Sequence, residues 1–499
     1  MMRTRTQILS LWAMCVLLCS SGGAQGPGGP QLPGPTSPSM KGVVIKGKAP
    51  VAREILRVRL PRPQEAKLKN GLEVLLLEDH RTPTFSMQMV ILSGGLADPP
   101  DQRGLAQFTA TLLREGTKRR TSRQISEQLD TLGATLSAES DLSSLTSVVS
   151  VSGLVEDLDE VLDLFADIIR NPTFPPEEVE RYKARMLAQL QLQRTIPQLL
   201  ARERLNRALY REHPAGWTMP PADSLRRLTS EALARFHATH YRPNNAFVAV
   251  VGDVTLRELL PKIERFFGDW EPATVPQVPI PSAAPPSERR VYLVHRPGSV
   301  QTAVQLGVLG ITRTDPDYFA LLVANRILGG GPTGRLFLNL REDKGYTYGA
   351  YSTFTSSKFR GAWSAGAEVR TEVTEGAMRE FFYELQRLRE ELVSAEELEN
   401  AKRALVGSFA LSLENSLALL QHIITQKIYN LPADYWDTYP QKVSAVTARD
   451  VQRVARKYLD LTRVQIVAVG DAQRIRDILA QYGPLEILDA EGRPISALN

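Results

Sequence analysis

The 499 residues carry 60 Lys and Arg against 55 Asp and Glu, a formal net charge of +5, with 43% apolar and 23% charged residues. This ordinary globular composition excludes a chain-long disordered, collagen-like or multispan membrane protein, and the length suits two or three domains. The charge is too mild and too scattered to argue for nucleic acid. Six His and two Cys, with both Cys before residue 20, leave a short supply for metal or nucleophile chemistry.

In chain order, residues 1–24 read as a secretory signal. Arg3 and Arg5 start it, Ile8 to Cys19 is an apolar run too short to span a bilayer, and small residues up to Ala24 suit cleavage. The expected address is export, to the periplasm. A lipoprotein cleaved before Cys19 is the rival reading, disfavoured by Leu18. Once cleaved, the chain has no Cys, so disulfides, thiolate catalysis and Cys-based zinc sites fall away. Residues 25–51 are a Gly/Pro/Ser-rich tether. Folded matter falls in 52–271 and 289–487, separated by a Pro-rich linker over 272–288 and followed by a tail, 488–499. No other stretch is apolar enough for a membrane span.

The two blocks repeat. Thr229 to Gly252 corresponds to Thr447 to Gly470 at an offset of 218, and Glu178 and Lys183 correspond to Glu397 and Lys402 at 219. Each unit reads as a helix, a β-branched strand, then Gly-Asp opening another helix. Two long units are a duplicated domain rather than a solenoid. Leu72–Leu77 and Ser86–Leu92 read as strands. Helices are expected over Arg103–Arg114, from Thr121-Ser122 onward, and over Glu156–Ile169 with its apolar face of Leu158, Val161, Leu162, Phe165 and Ile168. The expected class is α+β: two tandem homologous domains, each an antiparallel-rich sheet covered by helices on one face.

Among the histidines, His237 and His240 have helical spacing without an intervening acid, and His213 follows Glu212 with Leu209 where a second imidazole would be needed. Both read as structural. There is no His-Glu-x-x-His and no Gly-x-Ser-x-Gly elbow, and Gly329-Gly330-Gly331 lacks the Gly-Lys-Ser/Thr of a phosphate loop.

Asn70-Gly71-Leu72, the Gly104-Leu105-Ala106 helix ending at Glu115-Gly116-Thr117, Tyr241 to Asn245, the two Val-Gly-Asp turns, and Ile327 to Gly330 with Leu340-Arg341-Glu342 occur in an order that resembles one family. It is that of the pitrilysin, insulinase and mitochondrial-processing peptidases, zinc proteases with an inverted motif. The resemblance covers about 65–480. In its catalytic members the Gly-Leu-Ala helix continues into His-x-x-Glu-His, where two imidazoles one turn apart hold Zn²⁺ and the Glu activates water. The matching positions here are Gln107, Ala110 and Thr111, and a third ligand matches Gln189. All are neutral. The resemblance thus implies a lost metal site, with no cofactor in this chain.

The resemblance also implies a retained substrate-binding pair. Arg341 and Tyr348 match an Arg and a Tyr that bind peptide backbone at the zinc cleft. The plain alternative pairs Arg341 with a local acid and puts Tyr348 on a half-buried strand face. Gly329, Gly330 and Gly331 match a loop that helps admit substrate, or else form a helix end and turn. Some members of the family work as pairs in which one subunit has lost zinc. The expectation is therefore a non-catalytic subunit that binds peptide beside a zinc-bearing homologous partner. A peptide-binding or structural homologue without a protease partner is the alternative.

Overall fold

The computed structural model describes residues 55–495; the expected signal and the whole of the expected tether lie outside them. Residues 55–495 form one compact unit built on two six-stranded mixed sheets. The first sheet comprises β1 (Gln64–Lys67), β2 (Glu73–Glu78), β3 (Thr84–Ile91), β4 (Thr135–Glu139), β5 (Ser147–Leu154) and β6 (Ala246–Gly252), in the order β1-β2-β6-β3-β5-β4. The second comprises β7 (Arg290–His295), β8 (Gln301–Leu309), β9 (Thr347–Phe354), β10 (Ala362–Arg370), β11 (Gln465–Gly470) and β12 (Leu485–Leu488), in the order β12-β7-β11-β8-β10-β9. Antiparallel pairs predominate, and β2 with β6 repeats as β7 with β11, both parallel. The sheets differ at one edge. β1 arrives from the N-terminal side and pairs antiparallel, whereas β12 arrives from the C-terminal side and pairs parallel.

The repeated motif is realised in both halves. Helix Ser230–His240, β6 and helix Leu256–Phe267 correspond to helix Ala448–Tyr458, β11 and helix Ala472–Ala480. Thr229 and Thr447 cap their helices alike, each accepting a backbone N–H in the first turn. The helices after the Gly-Asp turns start differently. Asp471 itself caps the second, whereas Thr255 caps the first and in return donates its own backbone N–H to the Glu258 carboxylate. The segment 272–288 contains neither helix nor strand.

The central strands read as continuous apolar runs because both faces are covered. On β6, Val248 and Val250 join the core under the first half's own helices, while Phe247, Ala249 and Val251 face the other way. What covers that second face is helix Ser416–Ile428 of the second half, through Leu420, Ile423 and Ile424. The reverse holds on the second sheet. Val467 and Val469 of β11 meet Leu200, Leu205 and Leu209 of helix Pro197–Tyr210, which belongs to the first half. The two exchanged helices begin 219 residues apart, the same offset as Glu178 and Glu397. Each half thus lays one helix on the other's sheet. This adds a second cover to the single helical layer expected from the sequence. Among the described residues, no single helix is long and apolar enough to cross a membrane.

Candidate functional site

Helix Leu105–Leu112 carries the first set of matched positions. Gly104 opens it at φ 99°, a conformation suited to glycine, and Asp98 accepts the N–H groups of Gly104 at 2.7 Å and Ala106 at 2.8 Å. Burial pushes the Asp98 carboxyl up to about 7, against those same bonds. All residues of the helix are buried except Gln107 and Thr111. These two are one turn apart on one face, the spacing a pair of imidazole ligands would use.

Ala110 is fully buried. Tyr182, from the neighbouring helix Pro176–Gln193, packs edge-on against Phe108 at 4.4 Å between ring centroids and donates its hydroxyl hydrogen to Thr111 Oγ1 at 3.4 Å. Gln107 Oε1 is buried with no hydrogen-bond partner. Gln189 is exposed on the Tyr182 helix. Among the described residues no group of three or more His, Cys, Asp or Glu is placed to hold a metal ion. His237 Nε2 instead meets Ile169 O at 2.7 Å, and burial brings its pKa down to about 4. His240 bonds Ser93 Oγ at 3.0 Å, and His213 Nδ1 accepts the Ala215 N–H.

The second set lies at the edge of the second sheet. Arg335, 6% exposed, makes a two-pronged ion pair with Glu397 at 2.7 and 3.1 Å, which anchors the segment that follows. That segment, Leu338–Asp343, is a π-helical turn carrying Arg341, a geometry frequent at functional sites. Downstream, the register of β9 against β10 shifts between Ala367 and Val369. Tyr348 and Gly349 bulge opposite the single residue Glu368, and a bulge of this kind re-aims a side chain. Thr347 Oγ1 pins it, donating to Glu368 O at 2.6 Å and accepting the Gly349 N–H at 3.1 Å. Gly349 leaves room for a neighbour, since a Cβ there would lie 2.7 Å from the Tyr351 ring.

The result is that Tyr348 is 87% exposed, with the Arg341 guanidinium 4.7 Å from its ring centroid and 4.8 Å from that of Phe337. The half-buried strand position is therefore not what Tyr348 occupies. Arg341 also meets Glu342, but only at 3.4 Å from Nε.

The glycine stretch follows helix Tyr318–Leu328 and lies against β9. Gly329 O accepts the Ser352 N–H at 2.8 Å, and a Cβ on Gly329 would lie 2.7 Å from Ser352 N. Gly330 O accepts from Arg326, whose guanidinium crowds Gly331. The loop therefore closes the strand edge at Ser352, leaving Tyr348 to Tyr351 beyond it.

Two cavities adjoin this edge on the sheet face that carries helix Pro197–Tyr210. One of about 570 Å³ is lined by Tyr346, Tyr348, Glu368 and Gln198 among others. Another of about 770 Å³ lies between the halves, with Ser144 and Leu145 of the first half facing Thr353 and Phe359 of the second. Gln305, Tyr351 and Gly366 line both. Among the described residues, no hydrogen bond or ring contact joins Gln107, Thr111 or Gln189 to Arg341 or Tyr348. Sequence reasoning missed the bulge, the Thr347 pin and the groove; the glycine inside the strand Thr347-Tyr348-Gly349 was the available signal.

A duplicated α+β scaffold with two homologous sheets and helices exchanged between them defines the class. Residues 73–220 match insulinase (peptidase family M16), and residues 227–405 match the peptidase M16 inactive domain. The chain belongs to the M16 family. It is 26% identical to an uncharacterized zinc protease of Streptomyces coelicolor, over 83% of this chain and 92% of that one. It is 27% identical to the mitochondrial-processing peptidase subunit beta of Rattus norvegicus, over 84% and 87%. Among solved structures, a peptidase M16 inactive domain from Pseudomonas fluorescens superposes with a TM-score of 0.76 at 29% identity, covering 82% of this chain and 98% of that one. The zinc in the Streptomyces relative's name has no fitting donor set at the matched positions here. A buried methyl at Ala110, a hydroxyl already bonded to Tyr182 and two neutral amides do not supply imidazole and carboxylate ligands.

Proposed function

We propose that this chain is the non-catalytic, substrate-binding subunit of an exported zinc peptidase of the processing-peptidase type. The zinc sits in a homologous partner, and this chain contributes Arg341 and Tyr348. The observation that carries the reading is the Arg341–Tyr348 pair. It is exposed and positioned by a π-turn and a pinned bulge, in a chain whose own metal positions are filled by Gln107, Ala110, Thr111 and Gln189.

The chemistry follows from the donors. Arg341 offers a fixed fork of N–H groups to peptide carbonyls or a carboxylate, and Tyr348 offers a phenol donor to a carbonyl or a developing oxyanion. Neither deprotonates water, so hydrolysis needs the partner's metal and base. Peptide lies along the β9 edge beside the exposed side chains of Tyr348 and Tyr351 as a short added strand, and its side chains extend into the adjoining groove. Residues 1–24 supply the export signal and place the complex in the periplasm. A peptide-binding or structural homologue without a protease partner remains the second reading, favoured by the match of 227–405 to an inactive domain.

Co-purification of the chain from its native host tests the proposal. A homologue bearing His-x-x-Glu-His should come with it in equal amount. Recovery of this chain alone, at native levels and without cross-linked partner, would leave the second reading.

A further inference from the structure

A separate pocket of about 520 Å³ lies in the second half, between the segment Arg313–Ala320 and the segment Asn430–Val446. It shares no lining residue with the groove beside β9. Its size is that of a small-molecule site.

Its polar groups are unusual. Arg313 is 8% exposed, with its guanidinium carbon 4.0 Å from the ring centroid of Tyr318, 5.3 Å from Tyr435 and 5.9 Å from Trp436. Among the described residues no carboxylate lies within ion-pair distance of it. Lys442 Nζ sits 5.6 Å over Phe319 and 5.1 Å over Tyr435, and it too has no carboxylate partner among them. Tyr435 is 5% exposed, and its hydroxyl is buried without a hydrogen bond. Burial pushes that phenol above its ordinary range, so it stays a donor.

The two carboxylates at the rim are engaged. Asp450 caps its own helix through Thr447 and meets Arg453, and Asp315 accepts the Asp317 N–H at 2.8 Å. A buried cation is costly unless an anion reaches it, and ring faces recover only part of that cost. Here two cations and a phenol donor line an aromatic-walled cavity, and among the described residues no carboxylate lies within ion-pair distance of either cation.

We propose that this pocket binds a small aromatic carboxylate. The carboxylate is held by Arg313, Lys442 and the Tyr435 hydroxyl, and the ring lies against Tyr318 and Phe319. The site is independent of the peptide-binding pair.

Calorimetric titration of the purified full chain with 3-phenylpropionate and with its neutral amide tests this. The acid should bind at one site per chain, at least tenfold more tightly than the amide, as a charge-assisted contact requires. Arg313→Gln should abolish the preference for the acid, and Tyr435→Phe should weaken acid binding several-fold at an unchanged melting temperature. Should Arg313→Gln fail to fold, Lys442→Gln and Tyr435→Phe decide the matter. Equal affinity for acid and amide, no binding of either at millimolar concentration, or acid binding unaltered in folded variants would overturn the proposal.

Discussion

The Arg341 guanidinium stands 4.7 Å from the centre of the Tyr348 ring, although the two residues lie on different elements. Arg341 comes from a π-turn whose start is fixed by the ion pair of the buried Arg335 with the half-buried Glu397. Tyr348 comes from a bulge held by the Thr347 hydroxyl. Both side chains are thereby presented from ordered backbone rather than from a loose loop, which lowers the cost of ordering them around a ligand.

The Arg335–Glu397 pair ties stability to pH. Glu397 is held down to about 2, from an ordinary 4.5; burial opposes this lowering, and it is outweighed by the bonds from Arg335 and Ser394. A carboxyl with a depressed folded pKa stabilises the fold above its unfolded value. That contribution is lost as pH falls from about 4.5 through about 2. Glu397→Gln should cost about 2 kcal/mol at pH 7, allowing for solvent on the Glu397 side. By urea unfolding, the difference from the unaltered chain should shrink as pH drops toward 3. A gap that stays constant with pH would contradict this account of the pair.

Leu420 belongs to the second half but packs under the first sheet, 1% exposed, against Phe247 and Val251 among others. Leu420→Ala should lower stability by about 3 kcal/mol through the lost burial and the cavity left behind. Because the exchange is reciprocal, hydrogen exchange in β6 and β11 should accelerate together. Loss of protection in one sheet alone would show that the halves unfold separately.

Ala110 occupies the position of the motif's Glu, yet its methyl is fully enclosed. Ala110→Glu buries a carboxylate with no cation arranged for it. A loss of about 3 kcal/mol or more is expected in denaturant unfolding, and added Zn²⁺ should not restore it. Unchanged stability, or stabilisation by zinc, would mean that the helix retains a working metal pocket.

Much of this architecture was legible in the chain. The 218-residue offset from Thr229 to Thr447 exposed the duplication, because helix, strand and Gly-Asp turn carry residue types tied to local backbone geometry. The helix expected over 103–114 forms over Leu105–Leu112, shorter because its last turn tightens at Leu113–Glu115. The strand expected at 86–92 begins earlier, at Thr84, where pairing with Leu154 extends it. The helix exchange was not legible. Periodicity in 197–210 reports an apolar face but not which sheet it meets, and that depends on contacts between Leu205 and Val467 far apart in the chain. At the edge, Arg341 and Tyr348 could be matched by residue type. Their approach depends on a π-turn and a bulge, each set by tertiary bonds such as Thr347 to Glu368 that no local pattern records.

On the proposed function, this chain lends Arg341 and Tyr348 to a metal centre held by its partner. The direct measurement is peptidase activity of the purified chain, of a zinc-bearing homologue from the same genome, and of the two mixed. Activity should arise only in the mixture and should fall at least tenfold with Arg341→Ala in this chain, a loss of at least about 1.4 kcal/mol of transition-state binding. Zinc-dependent hydrolysis by this chain alone, or full activity of the mixture with Arg341→Ala, would contradict it.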